Sequence, residues 1–368
     1  MPESSNGSPV LLRAARLLTP DDDLRPAAVL VEGSQIREVG TAVDPGDARV
    51  IDLPGLTLVP GFIDIHVHGG GGFSLTTPDP GQVRAYSAWA PQNGVTAFLA
   101  GIVARTPAEA APLIEAALAA DTSGAELLGL NLEGPFVNPA RRGALPASWA
   151  SPPDEALLAR LLSATAGRLR LMTVAPEQPG ALDIIRMAAG AGASHVTHLF
   201  NGMRGFHHRD PGVFGAALDS PAVSVEVIAD GVHLHPATVR MLLGSFGPDR
   251  VALITDAVTP AGLPEGAFRL GGQEARLEAG RVTLPDGTIA GSAATMDAVV
   301  ANVVRWRAAT LQDALRMAST VPARVAGVGT RKGRIAPGYD ADIVALGEDL
   351  RVEAVWTRGR RAAAGAGA

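Results

Sequence analysis

Cysteine is absent from the 368 residues of the chain. This excludes disulfide bonds and thiolate metal sites, so any metal ion must use histidine or carboxylate ligands. No run of about 18 apolar residues is present, which excludes a simple membrane-spanning helix. The first residues, MPESSNGSPV, lack the basic and apolar regions of a signal peptide. We therefore expect a soluble cytoplasmic protein with no membrane partner.

A strong charge of one sign is also lacking. The chain has 31 Lys and Arg against 37 Asp and Glu, a formal net charge of −6, and its Arg residues are scattered. Neither feature is typical of a nucleic-acid surface, so no nucleic-acid partner is expected. Hydrophobic residues make up 47% of the chain and charged residues 18%, which indicates a globular protein with a large core. The length allows one large α/β barrel or two ordinary domains.

Short strand-like runs separated by Gly, Pro and Asp occupy both ends of the chain, and they predict a small antiparallel sheet. Near the start these runs are Val10–Leu18, Ala28–Val31, Gln35–Val39 and Val50–Leu53. Near the end they are Gly333–Ile335, Asp342–Leu346 and Val352–Thr357. We predict one small sheet domain built from residues 1–58 and 333–368, with a disordered tail at Ala362–Ala368.

Residues 59–332, between these ends, alternate strand-like and helical runs, which is typical of parallel βαβ construction. The predicted strands are Thr57–His68, Val95–Val103, Glu126–Glu133, Leu169–Glu177, His195–Phe200, Val223–Ala229 and Val251–Asp256. The predicted helices include Ala108–Ala120, Gly180–Ala191 and Pro236–Leu243. Nearly every strand ends in a polar cluster, as on the active-site face of a TIM-like (β/α)₈ barrel. Such a barrel needs eight strands, and the sequence supplies seven.

The segment Phe62–Gly72 reads as a buried strand that runs into four glycines. Strand side chains alternate between the two faces, so His66 and His68 point the same way and can converge on one metal ion. The alternative is a pair of polar residues at a strand end. The polar tips of the neighbouring strands favour the metal site.

Other strand tips carry groups that suit the same centre. Glu133 ends an apolar strand, where a carboxylate needs a cation or a salt bridge as its partner. His198 is a candidate zinc ligand, whereas His195, three residues earlier, is predicted to face away from His198 and to be structural. Asp256 could take a proton from a metal-activated water, with a turn or capping role as the alternative. Together these residues favour a hydrolytic metal site.

A second set of residues suits the recognition of an anion. Asn201 and Gly202 follow a predicted ligand closely and offer backbone N–H groups. Arg209 lies in an Arg-Asp-Pro-Gly turn, and its guanidinium fork suits a phosphate. His233 follows the end of another predicted strand.

Eight stretches carry a specific combination of motifs through almost the whole chain. They are Pro60–His68, Leu130–Phe136, Thr173–Glu177, Thr197–Met203, Ile228–His233, Ile254–Gly262, Ala290–Met296 and Arg316–Val328. In this order the stretches resemble the N-acetylglucosamine-6-phosphate deacetylase family of the amidohydrolase superfamily.

The resemblance implies a distorted (β/α)₈ barrel with a small β-sandwich formed from both termini, usually in a homodimer. It implies hydrolysis of N-acetylglucosamine 6-phosphate, an amino-sugar phosphate, to glucosamine 6-phosphate and acetate. The implied cofactor is one or two divalent metal ions, with zinc first and iron or another divalent ion as alternatives.

Roles for individual residues also follow from the resemblance. Glu133 and His198 match metal ligands. His66 and His68 match the pair that holds the other metal in two-metal members of the family. Asp256 matches the catalytic acid/base.

Substrate-contacting positions of the family are matched as well. They are Ala144, Asn201, Gly202, Asp230, Gly231, Val232, His233, Ile289, Ala290 and Gly291. Among them, His233 would help to polarise the acetamide carbonyl. Arg209 matches the arginine that reaches the sugar phosphate across the dimer interface.

The chain departs from the family pattern at two places. The family carries an extra strand before that of His198, ending in Gly-His-Ser or Gly-His-Thr, whose His is a metal ligand. Here Pro179–Ala193 reads as a single helix and that His is absent, so one β/α unit of about 30 residues is missing. At Leu145 the family has a His that contacts the sugar, and Leu cannot make that hydrogen bond.

We therefore predict that a metal ion binds through His66, His68, Glu133 and His198, with Asp256 as a further candidate. One alternative is a catalytically impaired homologue that binds a sugar phosphate. Another is a different amidohydrolase acting on an N-acyl substrate, such as a dihydroorotase-like enzyme or an N-acyl-amino-acid deacetylase. The sequence leaves open whether the glucosamine or the galactosamine phosphate is preferred.

Overall fold

A computed structural model describes residues 8–189 and 194–363. Within these residues an incomplete parallel barrel lies beside a sheet that contains strands from both ends of the chain. The predicted tail at Ala362–Ala368 lies mostly outside the described residues, as do the last two residues of the helix predicted at Gly180–Ala191.

The first part of the chain forms one side of the terminal sheet. Its strands are β1 Val10–Leu18, β2 Asp23–Leu24, β3 Ala27–Glu32, β4 Gln35–Gly40 and β5 Arg49–Pro60. Strand β1 pairs antiparallel with β3 and parallel with β5, and β3 pairs antiparallel with β4. Strand β5 is therefore much longer than the predicted run Val50–Leu53.

The predicted strand Thr57–His68 is divided in two at Gly61. The N–H of Gly61 donates to the carbonyl of Asp342 at 3.0 Å, whereas that of Phe62 donates to the carbonyl of Gly94 at 2.9 Å. The backbone thus changes from the terminal sheet to the barrel within one residue. A Cβ at Gly61 would lie 2.2 Å from Oγ1 of Thr96, so this crossing has room only for glycine.

The barrel follows as seven parallel strands, with a small hairpin after the first of them. In chain order they are β6 Phe62–Val67, the hairpin β7 Gly69–Gly70 and β8 Phe73–Ser74, β9 Val95–Ile102, β10 Glu126–Leu132, β11 Leu169–Met172, β12 His195–Val196, β13 Ser224–Ile228 and β14 Val251–Ile254. The parallel strands form two sheets, ordered β11-β10-β9-β6 and β12-β13-β14. Past the end of β14, the N–H of Asp256 donates to the carbonyl of His66 at 2.9 Å and joins the two sheets.

On the opposite side of the barrel, β11 and β12 are not paired in the part of the chain that is described. Just beyond these strands, the hydroxyls of Thr173 and Thr197 lie 3.1 Å apart. Both strands are shorter than the predicted Leu169–Glu177 and His195–Phe200. A strand bonded on one side only has fewer ladder hydrogen bonds to extend it, which accounts for the shortening.

Helices connect and cover the barrel strands. They are α1 Pro80–Trp89, α2 Pro107–Ala119, α3 Glu155–Ala164, α4 Ala181–Ala189, α5 Gly212–Leu218, α6 Pro236–Phe246, α7 Met296–Arg305, α8 Leu311–Leu315 and α9 Val321–Val325. Side chains cap several first turns; Asp79 and Asp154, for example, accept backbone N–H groups of α1 and α3. None of the helices in residues 8–189 and 194–363 is long and apolar enough to span a membrane.

A four-stranded antiparallel sheet follows the barrel strands and was not predicted. Its strands are β15 Gly266–Leu270, β16 Gln273–Glu278, β17 Arg281–Thr283 and β18 Ile289–Ser292. Gly271 and Gly272 form the turn between β15 and β16 with φ of +52° and +83°, and Asp286-Gly287 lies in the last turn. These Gly-Gly and Asp-Gly pairs are typical hairpin signals, and they could have revealed the sheet.

The end of the chain returns to the terminal sheet as β19 Ile343–Leu346, β20 Val352–Thr357 and β21 Arg360–Arg361. Strand β19 pairs antiparallel with β5. The sheet has eight strands, and it curls so that Ile36 of β4 and Trp356 of β20 share one buried cluster. The predicted strand Gly333–Ile335 is not formed, because Gly333 adopts φ of +85° in a turn.

A buried ionic cluster joins the barrel to the terminal sheet. The side chain of Lys332 is 0% exposed, and its Nζ lies 2.8 Å from Glu126, 2.9 Å from Asp340 and 2.6 Å from Asp342. Arg331 also contacts Glu126, at 2.5 Å. Because Glu126 begins β10 and Asp342 precedes β19, these ion pairs fix the two parts of the fold against each other.

We expect Glu126→Gln to lower the free energy of unfolding by about 2–3 kcal/mol at neutral pH. Burial alone would raise the pKa of Glu126, but hydrogen bonds from Arg331 and the charge of Lys332 outweigh it and lower the pKa to about 2. The ionised carboxylate therefore stabilises the fold above pH 4.5, and this contribution is lost as the pH falls from 4.5 towards 2. Denaturant unfolding of both proteins as a function of pH measures the difference, which should shrink in acid.

Glu109→Gln is a matched control, because Glu109 forms an ion pair with Arg105 at 2.6 Å on the surface. Such pairs contribute about 1 kcal/mol or less. Equal losses of stability in the two variants at neutral pH would contradict a special contribution from the buried cluster.

Candidate metal and substrate site

A cavity of about 1230 Å³ opens at the carboxyl ends of the barrel strands. Its wall contains His68, Glu133, His198 and Asp256, which come from four different strand ends. His66 lies beneath them and is fully buried. The five residues predicted from the sequence as metal-centre residues are therefore brought together.

Two overlapping groups of ligand atoms could hold a metal ion. One group is His66, Glu133 and His198; the other is His66, His68 and Asp256. Within each group the ligand atoms lie within 4.8 Å of one another. Imidazole and carboxylate groups at such spacing match the donor set of zinc sites without cysteine.

Glu133 lies between two of the imidazoles. Its Oε1 is 3.1 Å from Nε2 of His198, and its Oε2 is 3.2 Å from Nε2 of His68. Burial would raise the pKa of Glu133, but the hydrogen bond from His198 and the nearby charge of His68 lower it well below its usual value. The carboxylate is thus ionised and faces the cavity floor.

His66 offers the strongest indication of a cation. Its Nδ1 faces Oε2 of Glu226 at 2.8 Å, while its buried Nε2 has no hydrogen-bond partner among the described residues. Burial would lower the pKa of His66, yet the charges of Glu226, Asp256 and Glu133 raise it to about 10. Three carboxylates around one buried ring favour positive charge here, so these residues fit a bound divalent cation.

Two of the converging residues have left-handed backbones. His198 has φ of +25° and Asp256 has φ of +51°, a region that residues other than glycine seldom adopt. Such strain is common at functional sites, where the surrounding structure holds it. The hydrogen bond from Asp256 N–H to the His66 carbonyl is part of that support.

Glu226 was not predicted as a site residue. Its carboxylate is 1% exposed; Oε2 accepts from Nδ1 of His66 and from the N–H of His198, both at 2.8 Å, and Oε1 lies 3.2 Å from Nε2 of His195. His195, predicted to face away from His198 and to be structural, contacts the carboxylate that holds two candidate ligands, and this contact was not predicted. A charged residue inside the apolar run Ser224–Ile228 was the signal that could have identified Glu226.

Asp64 is a second buried carboxylate that was missed. Its Oδ2 accepts from Oγ1 of Thr255 at 2.6 Å, and its Oδ1 lies 3.3 Å from the N–H of His66. Burial raises the pKa of Asp64 to about 7. Asp64 thus ties the strand of His66 to the residue that precedes Asp256.

His233 lies in the cavity wall and is supported from behind by Asp230. Nδ1 of His233 is 2.7 Å from Oδ2 of Asp230, and Oγ of Ser292 donates to the same oxygen at 2.9 Å. The other oxygen of Asp230 accepts the N–H groups of Val232 and His233, both at 2.8 Å. This arrangement leaves Nε2 of His233 available to a ligand in the cavity.

The remaining predicted substrate residues divide into three sets. Those in the cavity wall are Ala144, Asn201, Gly202, His233, Ile289, Ala290 and Gly291, together with Leu145. Asp230, Gly231 and Val232 are not among the described residues that line the cavity. Arg209 is exposed in an adjoining turn and does not line the cavity of its own chain.

Comparison with known proteins gives consistent results. Residues 57–362 match the model of the amidohydrolase family. The chain is 32% identical to the N-acetylglucosamine-6-phosphate deacetylase of Bacillus subtilis (strain 168), over 95% of this chain and 96% of that protein. It is 34% identical to the N-acetylgalactosamine-6-phosphate deacetylase of Escherichia coli O157:H7, over 96% of this chain and 99% of that protein.

The alignment with the Bacillus protein is longer than the part of this chain that it covers. The comparison with the Bacillus protein extends over 380 positions, whereas 95% of this chain amounts to only about 350 residues. About 30 positions of the relative therefore have no counterpart here.

A solved structure agrees with the sequence comparisons. It is a variant of the N-acetyl-D-glucosamine-6-phosphate deacetylase of Mycobacterium smegmatis in complex with N-acetyl-D-glucosamine-6-phosphate. It aligns with a TM-score of 0.89 at 34% identity over 97% of this chain and 100% of that chain. The predicted TIM-like α/β fold of a metal-dependent hydrolase is confirmed. The chain therefore belongs to the amidohydrolase family, in the branch that contains the N-acetylglucosamine-6-phosphate deacetylases.

Proposed function

We propose that this protein is a metal-dependent deacetylase that hydrolyses N-acetylglucosamine 6-phosphate to glucosamine 6-phosphate and acetate. The observation that carries the proposal is the convergence of three imidazoles, Glu133 and Asp256 at the open face of the barrel. The activity of the relatives supports the choice of substrate. A cytoplasmic location stays a prediction.

The proposed cofactor is one divalent ion, zinc first, with iron or another divalent ion as the alternative. Because Nδ1 of His66 already faces Glu226, both ligand groups must use Nε2 of His66. They therefore describe alternative ligand sets, with Glu133 and His198 or with His68 and Asp256. A bound ion would supply a water of lowered pKa and polarise the amide carbonyl.

Residues of the chain would carry out the proton transfers. Asp256 faces the cavity and would take the proton of the attacking water and return it to the departing sugar nitrogen. His233, held through Nδ1 by Asp230, would present Nε2 to the acetamide carbonyl oxygen and help to polarise it. Asn201 and Gly202 would contact the sugar phosphate near the metal ligand His198.

We expect Asp230→Asn to reduce kcat by about 10- to 100-fold, because the amide can no longer hold the proton on Nδ1 of His233. The bound zinc should not change, since Asp230 belongs to neither ligand group. Steady-state acetate release and elemental analysis measure the two quantities. Ser292→Ala is the milder control, because it removes one hydrogen bond to Asp230 and leaves the His233 contact; equal rates in Asp230→Asn and wild type would contradict this role.

The proposed assembly is a homodimer in which Arg209 of one chain reaches the phosphate bound by its partner. Two features support it: Arg209 is exposed, and it lies outside the cavity of its own chain. Arg209→Gln should then raise the KM for the phosphorylated substrate while the dimer persists in solution.

We further propose that one β/α unit is absent between β11 and β12. The open pairing at that point and the 30 or so unmatched positions of the Bacillus relative support the proposal. The proposed domain limits are 1–58 and 333–368 for a small β-sandwich and 59–332 for the barrel. The chain would then lack the metal-binding histidine that ends this strand in the family. The candidate ligands named above would have to hold the ion without it.

Acetate release from N-acetylglucosamine 6-phosphate by zinc-loaded protein tests the function. N-acetylgalactosamine 6-phosphate is the second substrate to test. Leu145 replaces the histidine that contacts the sugar in the family, and one relative is an N-acetylgalactosamine-6-phosphate deacetylase. Unphosphorylated N-acetylglucosamine and an N-acyl-amino acid complete the set. A folded, zinc-loaded protein that binds the sugar phosphates but releases no acetate would overturn the proposal in favour of a non-catalytic binding protein.

A further inference from the structure

We infer that His195 is a positioning residue for the metal centre: it fixes the Glu226 carboxylate, which in turn orients His66 and His198. The inference rests on the proposed function, since it concerns the affinity of the site for a divalent cation. It adds a residue that belongs to neither group of candidate ligands.

The hydrogen bonds around Glu226 define the arrangement. A carboxylate only accepts, so Nε2 of His195 and Nδ1 of His66 must both donate to it. With Nδ1 engaged in this way, Nε2 is the ring nitrogen of His66 that can serve as a ligand once it has lost its proton. The N–H of His198 donates to the same Oε2 at 2.8 Å, so one carboxylate sets two ligands from different strands.

The imidazole of His195 is held at both ring nitrogens by neighbouring side chains. Its Nδ1 lies 2.7 Å from Oγ of Ser224 and its Nε2 lies 3.2 Å from Glu226. Both ring nitrogens are therefore engaged, and the side chain is 5% exposed. Ser224 therefore holds His195, and His195 contacts the carboxylate oxygen of Glu226 that His66 does not use.

The absence of pairing between β11 and β12 among the described residues explains why His198 needs such support. Strand β12 has only two residues, and these pair with β13 alone, His195 with Ser224 and Val196 with Val225. On its other side no strand of the described chain pairs with it. His198 follows β12 with a left-handed backbone, so the contacts to Glu226 replace part of the restraint that a second neighbouring strand would give.

The test compares zinc affinity, measured by competition with a chromophoric chelator, in wild type, His195→Leu, His195→Gln and Glu226→Gln. Loss of a residue that orients ligands typically weakens metal binding 10- to 100-fold. We expect that loss for His195→Leu and Glu226→Gln, and partial recovery in His195→Gln, whose amide N–H can still donate to Glu226. The double variant His195→Leu/Glu226→Gln should bind zinc no more weakly than Glu226→Gln alone, because His195 acts through Glu226.

Ser87→Ala is the matched control. Oγ of Ser87 is buried and donates to the carbonyl of Ala125 at 2.7 Å, away from the site. Thermal unfolding of the metal-free proteins separates stability from affinity, and Ser87→Ala should affect stability alone. Zinc affinity within twofold of wild type in His195→Leu, or additive losses in the double variant, would overturn the inference. Wild type that binds no zinc would instead refute the proposed metal centre.

Discussion

Asp256→Asn is expected to lower kcat for acetate release by about 1000-fold, within the range for loss of a general acid/base. Oδ1 of Asp256 lies 3.7 Å from Nε2 of His66 and 3.6 Å from Nε2 of His68, so the carboxylate lies beside two candidate ligands of the ion that would activate the water. An amide has nearly the same shape but cannot take up the proton. Asn also tolerates the left-handed backbone found at this position, so the fold should persist.

Bound zinc separates this effect from the loss of the centre. If the ion is held by His66, Glu133 and His198, the Asn variant should keep most of its zinc, and elemental analysis would report it. Asp249→Asn, on the exposed side of an ion pair with Arg316, serves as a control with normal activity. A fully active Asp256→Asn enzyme would mean that another group moves the proton.

Glu133→Gln is expected to have the second large effect, weakening zinc binding by more than about 100-fold and abolishing acetate release. The carboxylate contacts His198 and His68 through different oxygens, and it supplies the negative charge on that side of the candidate ion. An amide removes the charge and places an N–H group against one of the imidazoles. His68 and His198 would then have no carboxylate between them.

Glu177→Gln is the matched control for this variant. Glu177 also lies in the cavity wall, but its carboxylate accepts from the amide of Asn138 at 2.8 Å and belongs to neither ligand group. Zinc affinity should be unchanged in Glu177→Gln. Equal zinc affinities in Glu133→Gln and wild type would exclude Glu133 as a ligand.

Strand periodicity explains why much of the centre could be predicted. His66 and His68 are two residues apart on an apolar strand, and Glu133 and Asp256 each follow an apolar run, so the carboxyl ends of parallel strands had to bring them to one face. The five residues converge as expected. Each of these residues could be predicted because its position follows from the sequence pattern of its own strand.

What the sequence did not reveal depends on contacts between strands. Glu226 and His195 are 31 positions apart, and their pairing follows from the register of β12 against β13, which has no local signature. The break at Gly61 was hidden because the flanking residues are apolar on both sides, and the side chain of Thr96, which leaves room only for glycine there, is distant in sequence. Strands β11 and β12 are short where no strand of the described residues pairs with them on one side, and nothing within either strand signals this.

At His198 and Asp256 the left-handed backbone lowers the stability of the fold, whereas the proposed activity needs the side chains at these positions. A non-glycine residue in this conformation costs about 1 kcal/mol or more, and glycine at either position would relieve that strain while removing the functional group. A library selected only for heat resistance should therefore enrich Gly at 198 and 256 and yield robust but inactive proteins. Thermostabilising changes in this protein are better sought away from these two strand ends, and a screen that couples heat challenge to acetate release would retain both side chains.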